Sequence, residues 1–549
     1  MLRHANARAI NGAMGSISRQ RGTLLIIAAL LLAGFIGAVF ALQFARAAGS
    51  GQRERITERV LAEAREALIA YAVDRPINAV VGPGYLPCPD LDDDGWAEST
   101  CGSQSGDSGQ AQRLGRLPWK TLGISDLRDG YGERLWYAVS SKYKGLLNCG
   151  VSRACLDMSP GTALGTITVR DASGLVLHDG TLADGSRADE GGALAVVLAP
   201  GPPLVRADGR PQARDCAADC DATGRCVTDP PWNAPHCDPR NYLDKAAHDR
   251  FGNEDNADFV DRNDSARAGN ANGFIRGPVM LPGGRLAVND RLSVVAYRDV
   301  MPRLMERVAL EVSGCLRFYA SRAENGGRFP WPTPACRQAG GAWDARRGVY
   351  FGRVPDTPFD AMAAQGRLDR WWRSSGAGDL SQLPTANDAC RIAVSPDDEG
   401  PQRTTAPGTP ATEGSTAGLS GNSWWTSWKP YVFYALSHAY SADSPSATCD
   451  TASCIDLVDL SGRPLSSQKR FAVIVAGAPL VRDGFLQRRD TAAIAEISMW
   501  LEEGNARLEG SAGCGDDPPP FACEGTGTCG RITTGAATRT FNDVVAAWP

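Results

Sequence analysis

From position 90 to position 98 the chain reads Asp-Leu-Asp-Asp-Asp-Gly-Trp-Ala-Glu. Carboxylates at alternate positions, followed by a glycine that permits a tight turn, can wrap oxygen ligands around one hard cation. Asp90, Asp92 and Asp94 would offer side-chain oxygens, Trp96 its carbonyl, and Glu98 an oxygen directly or through water. The twelfth loop position is Cys101 instead of a bidentate Glu. The expected ligand is calcium, held at about 10⁻⁴–10⁻³ M as in extracellular modules. The alternative is a solvated acidic turn. The second half of the chain has Thr333-Pro334-Ala335 at the corresponding place, so the motif occurs once.

No other constellation points to catalysis. The five histidines stand at 4, 178, 236, 248 and 438, with no HExxH pair, and neither GxSxG nor a Walker sequence occurs. The expectation is a non-enzymatic protein. Cysteine chemistry is better represented. All sixteen cysteines lie between Cys88 and Cys529, an even number that suits an oxidising compartment. Cys149–Cys155 and Cys449–Cys454 are expected local disulfides, because their place recurs in both halves, and Cys88–Cys101 would close the acidic loop. Cys216, Cys220, Cys226 and Cys237 lie near His236, and either a zinc cluster or two disulfides would use them. Tryptophans cluster at Trp371-Trp372 and at Trp424, Trp425 and Trp428, as core packing or as rings that stack on a ligand. Net charge is −5 with a pI near 5.7, and no basic block follows residue 45, so nucleic acid is not an expected partner.

These groups must be positioned by a body that repeats itself. Thr57–Ala72 aligns with Met305–Ala320 without a gap, identical at seven of sixteen positions. Both copies place apolar residues at helical spacing, Val60, Ala64, Leu68 and Tyr71 against Val308, Val312, Leu316 and Tyr319. Further matches follow in the same order. Leu86-Pro87-Cys88-Pro89 pairs with Phe329-Pro330-Trp331-Pro332, and Gly115-Arg116-Leu117-Pro118 with Gly352-Arg353-Val354-Pro355. Trp136–Ser140 pairs with Phe433–Ser437, Ala195–Arg206 with Ala472–Arg482, and Val288-Asn289-Asp290 with Phe541-Asn542-Asp543. Leu135–Ser140, Leu194–Leu198, Tyr431–Leu436 and Phe471–Val475 read as strands. Each unit is thus expected to be an amphipathic helix leading into an antiparallel sheet, an α+β arrangement with long disulfide-bonded loops.

Ahead of the body, Arg19-Gln20-Arg21-Gly22 is followed by an uncharged apolar run from Thr23 to Leu42. Twenty helical residues span about 30 Å, the thickness of a bilayer core. The expected organisation is a basic leader at 1–22, a transmembrane helix at 23–45, and two tandem α+β repeats at 52–298 and 299–549. A flexible Thr/Pro/Gly-rich insertion is expected at 401–422, and Gly49-Ser50-Gly51 is expected to break the helix just past the membrane. An ordinary secretory signal cut near Ala45-Arg46-Ala47 is the alternative.

The Gly22 junction, the apolar run and the amphipathic continuation resemble the N-terminus of type IV pilins and type II secretion pseudopilins. The blocks Leu86–Asp90 and Gly115–Trp119 also look like those of pilin-like envelope proteins. The resemblance implies cleavage by a prepilin peptidase between Gly22 and Thr23. It implies an inner-membrane location with a periplasmic C-terminal bulk, and partner pilin-like subunits met through the N-terminal helix. Two departures stand out: Thr23 where the family has Phe or Met, and Ile27 where it has Glu. A subunit without that Glu resembles a minor or tip-located member. A surface adhesin that binds carbohydrate or protein is the alternative function.

Overall fold

The computed structural model describes residues 49–74, 84–98, 113–140, 165–180, 191–207, 211–214, 238–246, 248–252, 254–259, 272–321, 325–334, 348–355, 428–441, 454–482, 485–489, 496–506, 531–536 and 541–549, with some single positions besides.

Its first helix, α1 (49–74), carries six buried apolar residues on one face: Val60, Leu61, Ala64, Leu68, Ile69 and Ala72. Strands β1 (Leu114–Arg116), β2 (Trp136–Val139), β5 (Ala195–Ala199) and β9 (Arg291–Val295) form a four-stranded sheet in the order β1-β2-β5-β9. All its pairings are antiparallel. The short helix α2 (Trp119–Leu122) lies between β1 and β2. A second sheet runs β4-β3-β6, from β3 (Val169–Arg170), β4 (Val176–His178) and β6 (Phe274–Ile275). Its β3–β6 pairing is parallel. The ribbon of β7 (Val279–Met280) and β8 (Leu286–Val288) completes the first half.

The second half repeats this plan. After α3 (Tyr297–Ser321) come β10 (Phe351–Arg353), β11 (Val432–Leu436), β12 (Ile455–Val458), β13 (Pro464–Lys469) and β14 (Phe471–Val475). Then follow β15 (Val481–Arg482), β16 (Phe485–Leu486), the short α4 (Glu503–Ala506), β17 (Arg531–Thr533) and β18 (Val544–Trp548). The main sheet is β10-β11-β14-β18, the smaller one β13-β12-β17, and β15 pairs with β16. Again one small-sheet pairing, β12–β17, is parallel. Registers correspond residue for residue: Gly115 faces Tyr137 as Gly352 faces Tyr434.

Alternation along the first main sheet separates two cores. Tyr137, Val139, Ala195 and Val197 face the helices, whereas Trp136, Ala138, Val196 and Leu198 face Tyr242, Leu243, Phe259 and Phe274. The two helices lie against each other. Arg65 bridges Asp299 at 2.6 Å, Arg303 bridges Glu66 at 3.1 Å, and Arg307 Nη1 donates to the Val73 carbonyl at 2.9 Å. One continuous apolar core therefore joins α1, α3 and the inner faces of both main sheets.

Three expectations are corrected. The fold is α+β, but among the described residues no helix is long and apolar enough to cross a membrane. The physical reason is charge: α1 carries Arg53, Glu54, Arg55, Glu58, Arg59 and Glu63 within about three turns, and α3 has Arg298, Asp299, Arg303, Glu306 and Arg307. The run Thr23–Leu42 lies outside the described residues except at Leu32. Second, each half holds several small sheets, parallel pairings included, in place of one antiparallel sheet. Third, residues 49–51 are helical. Nothing stands within 4 Å of the Cβ position at Gly49 or Gly51, so no packing opposes the helix, and each glycine costs it only about 1 kcal/mol.

Candidate functional site

The acidic loop is anchored at both ends. Asp90 and Arg116 exchange backbone hydrogen bonds of 3.0 and 2.7 Å, which pins the start of the loop to β1. The Glu98 N–H donates to the Pro89 carbonyl at 3.3 Å and returns the chain to its origin. Cys88 and Cys101, both buried, are disulfide-bonded with Cα atoms 5.5 Å apart. Within the turn the Asp90 carboxylate accepts the N–H of Gly95 at 2.7 Å and of Asp94 at 3.2 Å. Gly95 has φ +88°, and a Cβ there would lie 2.6 Å from the Trp119 indole nitrogen, so both backbone and packing require glycine.

Folding brings Asp90, Asp92 and Glu98 together: one carboxylate oxygen from each lies within 4.8 Å of the others. Asp94 stands outside that group, its Oδ1 accepting the Trp96 N–H at 2.7 Å. Asp93 is taken by Arg134 at 2.6 Å. Burial pushes Asp90 up to about 7, with the neighbouring Asp93, Asp92 and Asp94 charges adding to it. Burial likewise pushes Glu98 up to about 7, with Asp92 and Asp94 adding. Three carboxylates facing one point, two of them reluctant to ionise, are what a divalent cation would relieve.

This gives a pH-dependent prediction. Unfolded Asp and Glu titrate near 3.9 and 4.3. Their raised folded values mean that the loop's contribution is fully present below about pH 4 and is lost as pH rises through about 7. A cation favours the ionised forms, so its effect must grow over the same interval. Calcium at about ten times its Kd is expected to stabilise by roughly 1.4 kcal/mol at pH 8 and hardly at all at pH 5. Thermal unfolding of the wild type and of Asp90→Asn, with and without calcium, checks it. An equal calcium increment at both pH values, or one retained in Asp90→Asn, would sink the site.

Cys449 and Cys454 are also disulfide-bonded, with a Cα separation of 5.5 Å. Cys149, Cys155, Gly22, Thr23, the cysteines from 216 to 237, and Trp371, Trp372, Trp424 and Trp425 lie outside the described residues. Trp428 is fully buried in the main core.

The structure also assembles a second constellation, absent from the sequence-level candidates and built once in each half. In the first, Asp290 Oδ2 accepts the Asp244 N–H at 2.7 Å, and Asp244 Oδ2 accepts the Asn289 N–H at 2.7 Å and the Asp290 N–H at 3.3 Å. Asn256 Nδ2 donates to Asp290 at 2.8 Å, and Gln212 Nε2 to Asp244 at 2.9 Å. In the second half Asp543 Oδ2 accepts from the Glu502 N–H at 3.2 Å and from Asn505 Nδ2 at 3.1 Å. Glu502 Oε2 accepts the Asn542 N–H at 3.2 Å. Each clasp thus joins two carboxyl groups, each held by backbone N–H groups from the other's segment.

The clasps close the end of each main sheet. Arg214 Nη2 donates to the Gly201 carbonyl at 2.9 Å, and Arg489 Nη2 to that of Gly477 at 3.1 Å, both just beyond the central strand. Arg116 lies 4.2 Å from the Trp136 and Tyr242 ring centres, while Arg353 lies 3.7 Å from Phe433 and 4.8 Å from Trp500. The signal that could have found this network was present in the repeat. Gln212-Ala213-Arg214 recurs as Gln487-Arg488-Arg489, and Tyr242-Leu243-Asp244 as Trp500-Leu501-Glu502. Compared with protein-family models, curated proteins and solved structures, the chain matches none.

Proposed function

We propose that this protein is a non-enzymatic minor subunit or accessory of a type IV pilus or type II secretion machine. It is held at the bacterial inner membrane through its N-terminal segment, with its bulk in the periplasm. The observation that carries the reading is the helix-on-sheet unit built twice: one amphipathic helix against a four-stranded antiparallel sheet, with loops closed by disulfides. Disulfides at Cys88–Cys101 and Cys449–Cys454 suit an oxidising compartment. The packing of α1 against α3 makes the two units one head, suited to a single tip or accessory position rather than to a repeating shaft. Its partners would be pilin-like subunits and a prepilin peptidase, and calcium would order the 90–98 loop.

Processing tests this directly. In cells with a prepilin peptidase the wild type is expected to lose its leader and begin at Thr23, whereas Gly22→Ala keeps full length. N-terminal sequencing of protein recovered from membranes reads both. A wild type that keeps residues 1–22, or that begins near Ala48, overturns the assignment.

A further inference from the structure

The two carboxyl clasps face a charge imbalance that their hydrogen bonds do not resolve. Asp244 and Asp290 are wholly buried, and Glu502 and Asp543 are 2 % and 3 % exposed. In the first half the cation turned towards the pair is Arg214, which touches it through the Gln212 amide that donates to Asp244. Arg206 and Lys245, on the packed segments, pair with Asp255 at 2.9 and 3.2 Å. Arg291, beside Asp290 in sequence, bridges Glu54 and donates to the Gly277 carbonyl. In the second half Arg489 contacts Glu502 at 3.4 Å, and Arg353 and Tyr431 lie close enough to act on Arg489. Asn256 and Asn505 add neutral donors. Among the described residues, the cation set against each pair of buried carboxyls is one guanidinium, Arg214 in the first half and Arg489 in the second. Among the described residues no donor reaches Oδ1 of Asp290 or Oδ1 of Asp543, the same atom in both halves.

Two carboxylates held side by side, out of water and sharing one cation, cannot both ionise without a large electrostatic cost. We infer that each pair keeps one proton at neutral pH, so that the two clasps are protonation-dependent locks on the ends of the main sheets and loosen together as the medium turns alkaline. The proton resides on the pair and passes to water when the lock opens. Burial, reinforced by the partner carboxyl, holds Asp290 and Asp543 well above the usual carboxylate range, and burial raises Asp244. The sign follows. Unfolded, all four groups are ionised at pH 7; folded, two protons are retained. The contribution of the clasps is fully present below the unfolded carboxylate values and is lost as pH rises through the folded ones.

The test uses the full chain in a calcium chelator, so that the 90–98 loop adds the same pH dependence to wild type and variant and cancels in their comparison. Equilibrium unfolding is followed between pH 6 and 9 for the wild type and for the double variant Asp290→Asn, Asp543→Asn, which mimics the protonated state. The wild-type folding constant is expected to fall by up to about tenfold per pH unit for each pair. The double variant should lose that part of the slope and exceed the wild type at pH 9. Equal slopes would overturn the inference. Should the double variant fail to fold, difference infrared spectroscopy of the wild type reads the protonated-carboxyl stretch at pH 7. Its loss on raising the pH supports the lock, and its absence at pH 7 overturns it.

Discussion

Trp331→Ala is expected to lower the stability of the chain by about 3–5 kcal/mol, the range for deleting a buried indole. Trp331 is 1 % exposed and packs edge-on against Tyr350, ring centres 4.9 Å apart. The residues on either side cannot follow into the gap. Tyr434 donates its hydroxyl to the Pro330 carbonyl at 3.1 Å, and the Thr333 N–H is held by the Arg353 carbonyl at 2.9 Å. Phe329 lies 4.8 Å from Phe471 and is fixed through its own N–H to the Tyr440 carbonyl. With its neighbours pinned, the site cannot collapse, and the cavity penalty adds to the lost transfer energy. Chemical unfolding of the variant measures the loss. A midpoint within error of the wild type would show that Trp331 does not hold the corner.

The same corner in the first half shows what a repeat can conserve and what it can exchange. Cys88 stands at the position aligned with Trp331, and it is buried in a disulfide to Cys101. Tyr137 donates to the Pro87 carbonyl at 3.0 Å just as Tyr434 does to Pro330. The backbone interaction is retained while the filling differs. In the first half the disulfide also ties the far side of the acidic turn, at Cys101, back to its start.

The repeat was legible in the sequence because matched residues do matched jobs, and aligned Gly-Arg, Tyr and Asn-Asp positions return the same contacts in both halves. The central strands were legible for a related reason. Trp136–Val139, Ala195–Ala199, Val432–Leu436 and Phe471–Val475 are buried on both faces and read as short apolar runs. The small sheets were not. Strands β3 and β6 have two residues each and pair across about a hundred intervening positions, and no local pattern announces such a contact. The clasps escaped for the opposite reason. Sequence reading places Asp, Glu and Arg on the surface, and only assembly from five separate segments shows them buried. The loop was read at the level of residue type, yet the geometry admits Asp90, Asp92 and Glu98 while turning Asp94 into a cap for Trp96.

Gly477→Ala is expected to cost about 3 kcal/mol, the upper part of the range for overpacking a well-filled site. A Cβ there would stand 2.1 Å from Asn542 Oδ1 and 2.6 Å from the Asn542 carbonyl oxygen. Asn542 cannot yield cheaply. Its Nδ2 donates to the Ala478 carbonyl at 2.9 Å and its N–H to Glu502 at 3.2 Å, so any retreat opens the Glu502–Asp543 clasp. The matching position behaves differently. Gly201 has φ +63°, and its Cβ would meet Asn289 Oδ1 at 3.2 Å. Gly201→Ala is therefore expected to cost about 1–2 kcal/mol, mostly from left-handed backbone. Unfolding of the two single variants under one set of conditions separates steric from conformational cost. If Gly477→Ala proves the milder of the two, the close approach of Asn542 is not what keeps residue 477 a glycine.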